Sequence, residues 1–259
     1  MLASYHTHTY RCGHAVGKEE EYIEKAIAEG LKTLGFADHA PMRYRNEFVS
    51  GHKMRPEEIG EYFSTLGALK EKYRNDIDIK IGLETEYYPD LWEDCLDFWS
   101  AYPVDYILLG QHFSPNEDSR DTYYSGHPFL DESKLSMYVD LVCECMNTGK
   151  ITYLAHPDLI NYAGSDLDFY IFEMRRLIAE AMKLGIPLEY NLLGMKLGRN
   201  YPNELFWNEV ADMGAVTVIG CDSHAPRRVA DREEISFATA YLNKKGIKFI
   251  DEIELIKPF

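Results

Sequence analysis

Nine histidines are spread unevenly along this sequence, and several stand next to carboxylates in short motifs. His6 and His8 flank Thr7, and His14 follows shortly after. Further on come Asp38-His39, Glu84 and Glu86 in Ile81-Gly82-Leu83-Glu84-Thr85-Glu86, Gln111-His112, Ala155-His156-Pro157-Asp158, and Cys221-Asp222-Ser223-His224. Imidazole and carboxylate together suit Zn, Mn or Fe, and the lack of nearby cysteine ligands argues against a closed structural zinc site. A pocket with more than four such donors implies more than one ion, and a carboxylate such as Glu84 can bridge two. Ions sharing a carboxylate lower the pKa of a bridging water and yield hydroxide at neutral pH, which is hydrolytic chemistry.

These residues acquire meaning from the elements that must carry them. Short apolar runs read as strands at Ala3–Thr7, Thr33–Ala37, Ile77–Leu83, Tyr106–Gly110, Ile151–Ala155, Pro187–Asn191 and Ala215–Gly220. Amphipathic stretches at Lys18–Glu29, Pro56–Tyr73, Leu91–Ala101, Asp131–Thr148, Asp168–Leu184, Asn203–Met213 and Arg232–Lys244 read as helices, and Gly30, Gly149, Gly185 and Gly214 stand where helices stop. Strands alternating with helices predict a parallel sheet, either open or curled into a barrel, and the length suits one α/β barrel without a linker. Six of the strands then end in a candidate ligand at the same relative position. Residues two apart on a strand share a side, so His6 and His8 can reach one ion. The long loops at about 39–55 and 111–129 both follow strands, where α/β proteins place their sites. His52 and His127 stand alone in those polar loops and read as ordinary loop residues.

With 43 acidic against 27 basic residues the formal charge is −16, which opposes polynucleotides and anionic membranes. The five cysteines show no zinc-finger or CxxC spacing and read as reduced thiols of a cytoplasmic protein. Cys143 and Cys145 fall on different faces of their helix. The N-terminus does not read as a signal peptide, and no run of 18 apolar residues predicts a membrane span. Nothing in the sequence selects an oligomeric state.

Taken in order, His6-x-His8, His14, Asp38-His39, Gly82-Leu83-Glu84, His112, Ala155-His156-Pro157 and Gly220-Cys221-Asp222-Ser223-His224 resemble the PHP family, named for polymerase and histidinol phosphatase. Phe36-Ala37-Asp38-His39-Ala40-Pro41, Leu109-Gly110-Gln111-His112-Phe113 and Tyr201-Pro202 resemble its histidinol-phosphate phosphatase branch. The resemblance implies a distorted (β/α)7 TIM-like barrel forming a single domain over 1–259, with three divalent ions at the C-terminal strand ends. Zinc is the first choice of metal, manganese or iron the alternatives. By the family pattern one ion takes His6, His8, Glu84 and Asp222, a second His14, His39 and His224, and the third Glu84, His112 and His156. Asp222, Glu84 and His39 are the residues it places nearest the chemistry.

The implied activity is hydrolysis of a small phosphate ester by a metal-bridging hydroxide, with L-histidinol phosphate as first substrate and histidine biosynthesis as the setting. The sequence departs from the branch at one point: His156-Pro157-Asp158-Leu159-Ile160-Asn161 lacks the arginine that commonly follows the fifth-strand histidine. The phosphate then needs another cation, and Arg199 is the preferred one, with Arg43, Arg227 and Lys196 as further candidates and Arg45 beside them. Asp222 or a water on a metal is the candidate proton donor. Phe48, Phe113, Tyr123 and Tyr124 are candidate walls for a substrate ring. Alternatives on the same donors are a phosphodiesterase or nuclease, a phosphotyrosine phosphatase, an amidohydrolase, and a non-catalytic regulatory module.

Overall fold

The computed structural model describes residues 1–259. In chain order its strands are β1 (Ala3–Ser4), β2 (Thr33–His39), β3 (Asp78–Thr85), β4 (Tyr106–Leu109), β5 (Phe113–Ser114), β6 (Tyr123–Tyr124), β7 (Tyr153–Leu154), β8 (Leu188–Asn191), β9 (Thr217–Gly220) and β10 (Phe249–Ile250). Eight of them form one sheet in the order β1-β2-β3-β4-β7-β8-β9-β10, every pairing in it parallel. The remaining two, β5 and β6, make a small antiparallel hairpin inside the loop after β4. The helices are α1 (Glu19–Glu29), α2 (Ile59–Lys72), α3 (Trp92–Trp99), α4 (Glu132–Asn147), α5 (Leu167–Leu184), α6 (Leu192–Leu197), α7 (Glu204–Met213) and α8 (Arg232–Lys245).

This is the distorted (β/α)7 barrel with one addition. All seven expected strands form, and β10 is an eighth that two residues with no apolar run around them could not announce. The short helix α6, directly after β8, is likewise absent from the sequence reading. Between sheet and helices lies a large core containing Trp99, Trp207, Tyr62 and Phe36, each fully buried. Inside the curl the small residues Ala3, Ala37 and Ala155 face Tyr5, Tyr106 and Tyr153. The Tyr106 hydroxyl is satisfied there by the carbonyls of Tyr5, at 2.6 Å, and Phe36, at 3.1 Å, which removes the penalty of burying it.

At the C-terminal rim the curl closes through backbone that extends past β1 and β9. The His8 N–H donates to the Ser223 carbonyl at 3.0 Å, and the Ser223 N–H donates to the His6 carbonyl at 3.2 Å. This bridge between Thr7 and Ser223 sets the first histidine pair beside Asp222 and His224, so the closure of the fold and the assembly of the site are the same event.

Candidate metal centre

Each donor reaches the rim by a short path along the backbone. His6 and His8 follow β1, His39 is the last residue of β2, Glu84 lies in β3, and His112, His156 and Asp222 lie just beyond β4, β7 and β9. Two of them sit in the left-handed backbone region, His156 at φ 29° and Asp222 at φ 47°, a conformation that side-chain-bearing residues avoid and that turns each side chain inward at a functional rim. Two glycines clear the space the carboxylates occupy. A Cβ on Gly110 would overlap the Glu84 carboxylate, and a Cβ on Gly220 would overlap that of Glu189.

All nine side chains expected as ligands converge on one region around Glu84. Its Oε1 lies 2.9 Å from His156 Nε2, 3.4 Å from His6 Nε2 and 3.7 Å from His112 Nε2. Its Oε2 lies 3.0 Å from His39 Nδ1 and 3.5 Å from His8 Nε2. Asp222 Oδ1 stands 3.1 Å from His8 Nε2, 3.2 Å from His224 Nδ1 and 3.6 Å from His6 Nε2. His14 completes the group, with its Nε2 3.0 Å from His224 Nε2. The donors fit bound cations: His6 Nε2, His8 Nε2, Glu84 Oε2 and Asp222 Oδ1 are all buried and none has a hydrogen-bond partner, although buried polar atoms in folded proteins are nearly always paired.

The electrostatics follow from crowding imidazoles and carboxylates away from water. Burial opposes charge on His6, but Glu189, Asp222 and Glu84 outweigh it and raise its pKa well above the ordinary value. His8 behaves likewise and is raised to about 9, with Asp222 and Asp38 offsetting its burial. His14 goes the other way, down to about 4, through burial and the neighbouring His224 and His8. Burial also lowers His39 and His224. Burial would raise Glu84 and Asp222, yet the surrounding histidines hold both carboxylates well below their usual range. Both are therefore anions, built to accept cations or protons.

Residues 4–191 match the PHP domain. The chain belongs to the PHP domain family. A probable histidinol-phosphatase of Schizosaccharomyces pombe is 27% identical over 277 residues, spanning 98% of this chain and 90% of its own. One of Deinococcus radiodurans is 26% identical over 244 residues, 89% of each. The crystal structure of histidinol phosphate phosphatase from Lactococcus lactis, complexed with Zn, L-histidinol and phosphate, has a TM-score of 0.75 at 18% identity and covers 99% of this chain and 98% of that one. That likeness shows that the two share a fold.

In this PHP domain the donors open into a cavity of about 580 Å³ lined by His14, His39, His112, Asp222 and His224 together with Lys53, Phe113, Tyr124, Arg199 and Tyr201. Of the four candidate phosphate cations only Arg199 lines it, with its Nη1 donating to Tyr201 Oη at 2.8 Å. The Arg43 guanidinium lies 3.9 Å over the Phe98 ring, Lys196 pairs with Glu234 at 3.4 Å, and Arg227 is exposed on a short turn. Arg45 contacts the Asp90 carbonyl and Asp94. Phe113 and Tyr124 wall the cavity, whereas Phe48 packs on Tyr44 and the Tyr123 hydroxyl donates to the Lys134 carbonyl. Asn161, where an arginine was expected, ties its own loop to the Gly126 carbonyl at 3.1 Å.

Several participants escaped the sequence reading. His52 and His127, taken as ordinary loop residues, both line the cavity because the two long loops fold back over the strand ends. Glu189 is fully buried and accepts from His6 Nδ1 at 2.8 Å and from the His156 N–H at 3.0 Å. Asp38, which the sequence marked only by its place beside His39, stands 3.3 Å from His8 Nδ1. Such partners fix which ring nitrogen faces a metal. Glu189 had a signal, a charged residue inside an apolar strand run, but its partner is 183 positions away. The cysteines are unpaired, as expected, and burial raises Cys95 and Cys143 to about 11, so these thiols stay protonated.

Proposed function

We propose that this PHP domain is a metal-dependent phosphomonoesterase that hydrolyses L-histidinol phosphate to L-histidinol and phosphate. The observation that carries this reading is the set of buried, unpartnered donors at His6, His8, Glu84 and Asp222, opening into a cavity sized for a small ester. Histidinol-phosphatase names among its relatives, and a structural neighbour complexed with Zn, L-histidinol and phosphate, supply the substrate. Three divalent ions, zinc first, are assigned to His6, His8, Glu84 and Asp222; to His14, His39 and His224; and to Glu84, His112 and His156. When bound they supply Lewis-acid charge and an activated water.

The remaining work falls to the chain itself. Glu84 and Asp222, held ionised, present the negative charge that keeps cations at the rim. Glu189 and Asp38 accept from the Nδ1 atoms of His6 and His8 and leave each Nε2 lone pair directed inward. Arg199 reaches the same cavity as the metal donors from the loop after α6 and takes the place of the arginine missing at Asn161. Its planar guanidinium suits two phosphate oxygens, and Tyr201 fixes its position. Phe113 and Tyr124 supply flat apolar walls for the imidazole of the alcohol. The unpaired cysteines support a reducing compartment such as the cytoplasm. No helix is long and apolar enough to cross a membrane.

The test counts bound metal per chain and then assays the loaded protein on histidinol phosphate and a panel of phosphate mono- and diesters. Two or more ions and monoester turnover that is lost in His6→Ala and Glu84→Ala are expected. Fewer than two ions, turnover that survives both changes, or hydrolysis of diesters alone would each defeat the reading.

A further inference from the structure

Lys53 is the only lysine buried in the fold, and it belongs to none of the strand-end motifs. It lies in the loop after β2, with its ammonium 3.0 Å from Glu86 Oε1 and 2.6 Å from Glu117 Oε2. The same Glu86 Oε1 stands 3.2 Å from His112 Nδ1. Glu117, in the loop after β4, is fixed separately by the hydroxyls of Tyr44, at 2.6 Å, and Ser50, at 2.7 Å. A continuous set of contacts therefore runs from both long loops, through one ammonium and one carboxylate, to a ring assigned to the third ion.

His112 needs this support more than its neighbours do. The carboxylates behind His6 and His8 are Glu189 in β8 and Asp38 in β2, rigid parts of the sheet. Glu86 lies just past the end of β3, and its other oxygen is buried with no hydrogen-bond partner. What fixes its orientation is the charge of Lys53. A buried ammonium held by two carboxylates is strongly position-determining, because removing it leaves both acids uncompensated. A ligand histidine whose far nitrogen meets an oriented carboxylate keeps one tautomer and one ring angle.

We propose that Lys53 is a positioning residue for the third ion: it holds Glu86 against His112 Nδ1, and so sets the affinity of the cation bound by His112, His156 and Glu84. Because Lys53 is itself placed by Glu117, that affinity depends on the two loops being closed together. The inference rests on the three-ion reading above.

Stepwise zinc affinities of full-length Lys53→Met, Lys53→Arg, Glu86→Gln and Glu117→Gln, measured by chelator competition beside the melting temperature of each, test it. Lys53→Met and Glu86→Gln are expected to weaken one ion of the three by about 10–100-fold and leave the other two near the wild-type values. Lys53→Arg should recover most of the loss, and Glu117→Gln should weaken the same ion less. Because Lys53→Met strands two acids, Glu86→Gln serves as the second variant. Three ions at unchanged affinity in both variants, or an equal loss at all three, overturns the inference alone. Wild-type protein that holds fewer than three ions overturns the three-ion reading and this inference with it.

Discussion

Titrating ion affinity against pH should separate the site built on His6 and His8 from the one built on His14, His39 and His224. In the metal-free cluster His8 is raised to about 9, its burial outweighed by Asp222 and Asp38, and His6 is raised in the same direction. At about pH 7 an incoming ion must displace the His8 proton, and two pH units below the pKa that competition weakens binding by about 100-fold. Affinity at this site should climb about one decade per pH unit for His8, levelling off for that proton near pH 9, and more steeply where His6 also releases one. His14 is lowered to about 4, and His39 and His224 are lowered as well, burial being the main cause for all three. These rings are lowered toward the neutral form, so near pH 7 their ion displaces few protons and its affinity should vary with pH much less steeply. Chelator competition from about pH 6 to 9 measures the slopes, and calorimetry in two buffers of different ionisation enthalpy counts the protons. Stability carries the same signature. The folded pKa of His8 lies above its unfolded value, so its contribution to the metal-free fold is complete below about pH 6.5 and is lost as pH rises through about 9. Ion binding strengthens over that window, and the gap between the melting temperatures of loaded and stripped protein should widen with pH. Equal slopes at every site, or no proton released by any ion, would refute the assignment of donors to sites.

Substitutions at the cations and at a strand-end glycine probe the rest of the geometry. Arg199→Met removes a charge-assisted contact worth about 1.5–3 kcal/mol when shielded; the residue is partly open to solvent, so about a tenfold loss in kcat/KM for histidinol phosphate is expected. Arg43→Ala, Lys196→Ala and Arg227→Ala should stay within about twofold of wild type in the same assay, since none of the three lines the cavity. A loss in any of them equal to that of Arg199→Met would mean the phosphate lies elsewhere. Gly220→Ala places a methyl against the buried Glu189 carboxylate and should destabilise the fold by about 1–3 kcal/mol in urea unfolding. It should also weaken the ion at His6, whose Nδ1 Glu189 orients; unchanged metal binding would separate Glu189 from the site.

What the sequence disclosed, and what it withheld, divides along one physical line. The family pattern named the nine side chains, and their convergence follows for most of them from local backbone: a strand end fixes where His39 or Glu84 points within a residue or two, and the parallel sheet brings such ends to one rim. The seven principal strands were legible for the same reason, while β10 and α6 are too short to impose a period. The support behind the donors was not legible. Glu189 meets His6 across 183 residues, and Lys53 meets Glu117 across 64, through pairings that exist only once the barrel has curled and its loops have closed. The place of His52 and His127 on the cavity wall was hidden on the same account, since a polar loop reveals its residues but not the surface it folds onto. Arg199 shows the line from its other side. The loop that follows β8 carries none of the nine metal donors, and it is this loop that brings Arg199 to the cavity wall, although α6 was not foreseen. Where a residue's task depends on its place in the chain, the sequence states it; where it depends on which distant group arrives beside it, as for Lys53 at Glu86, only the folded molecule does.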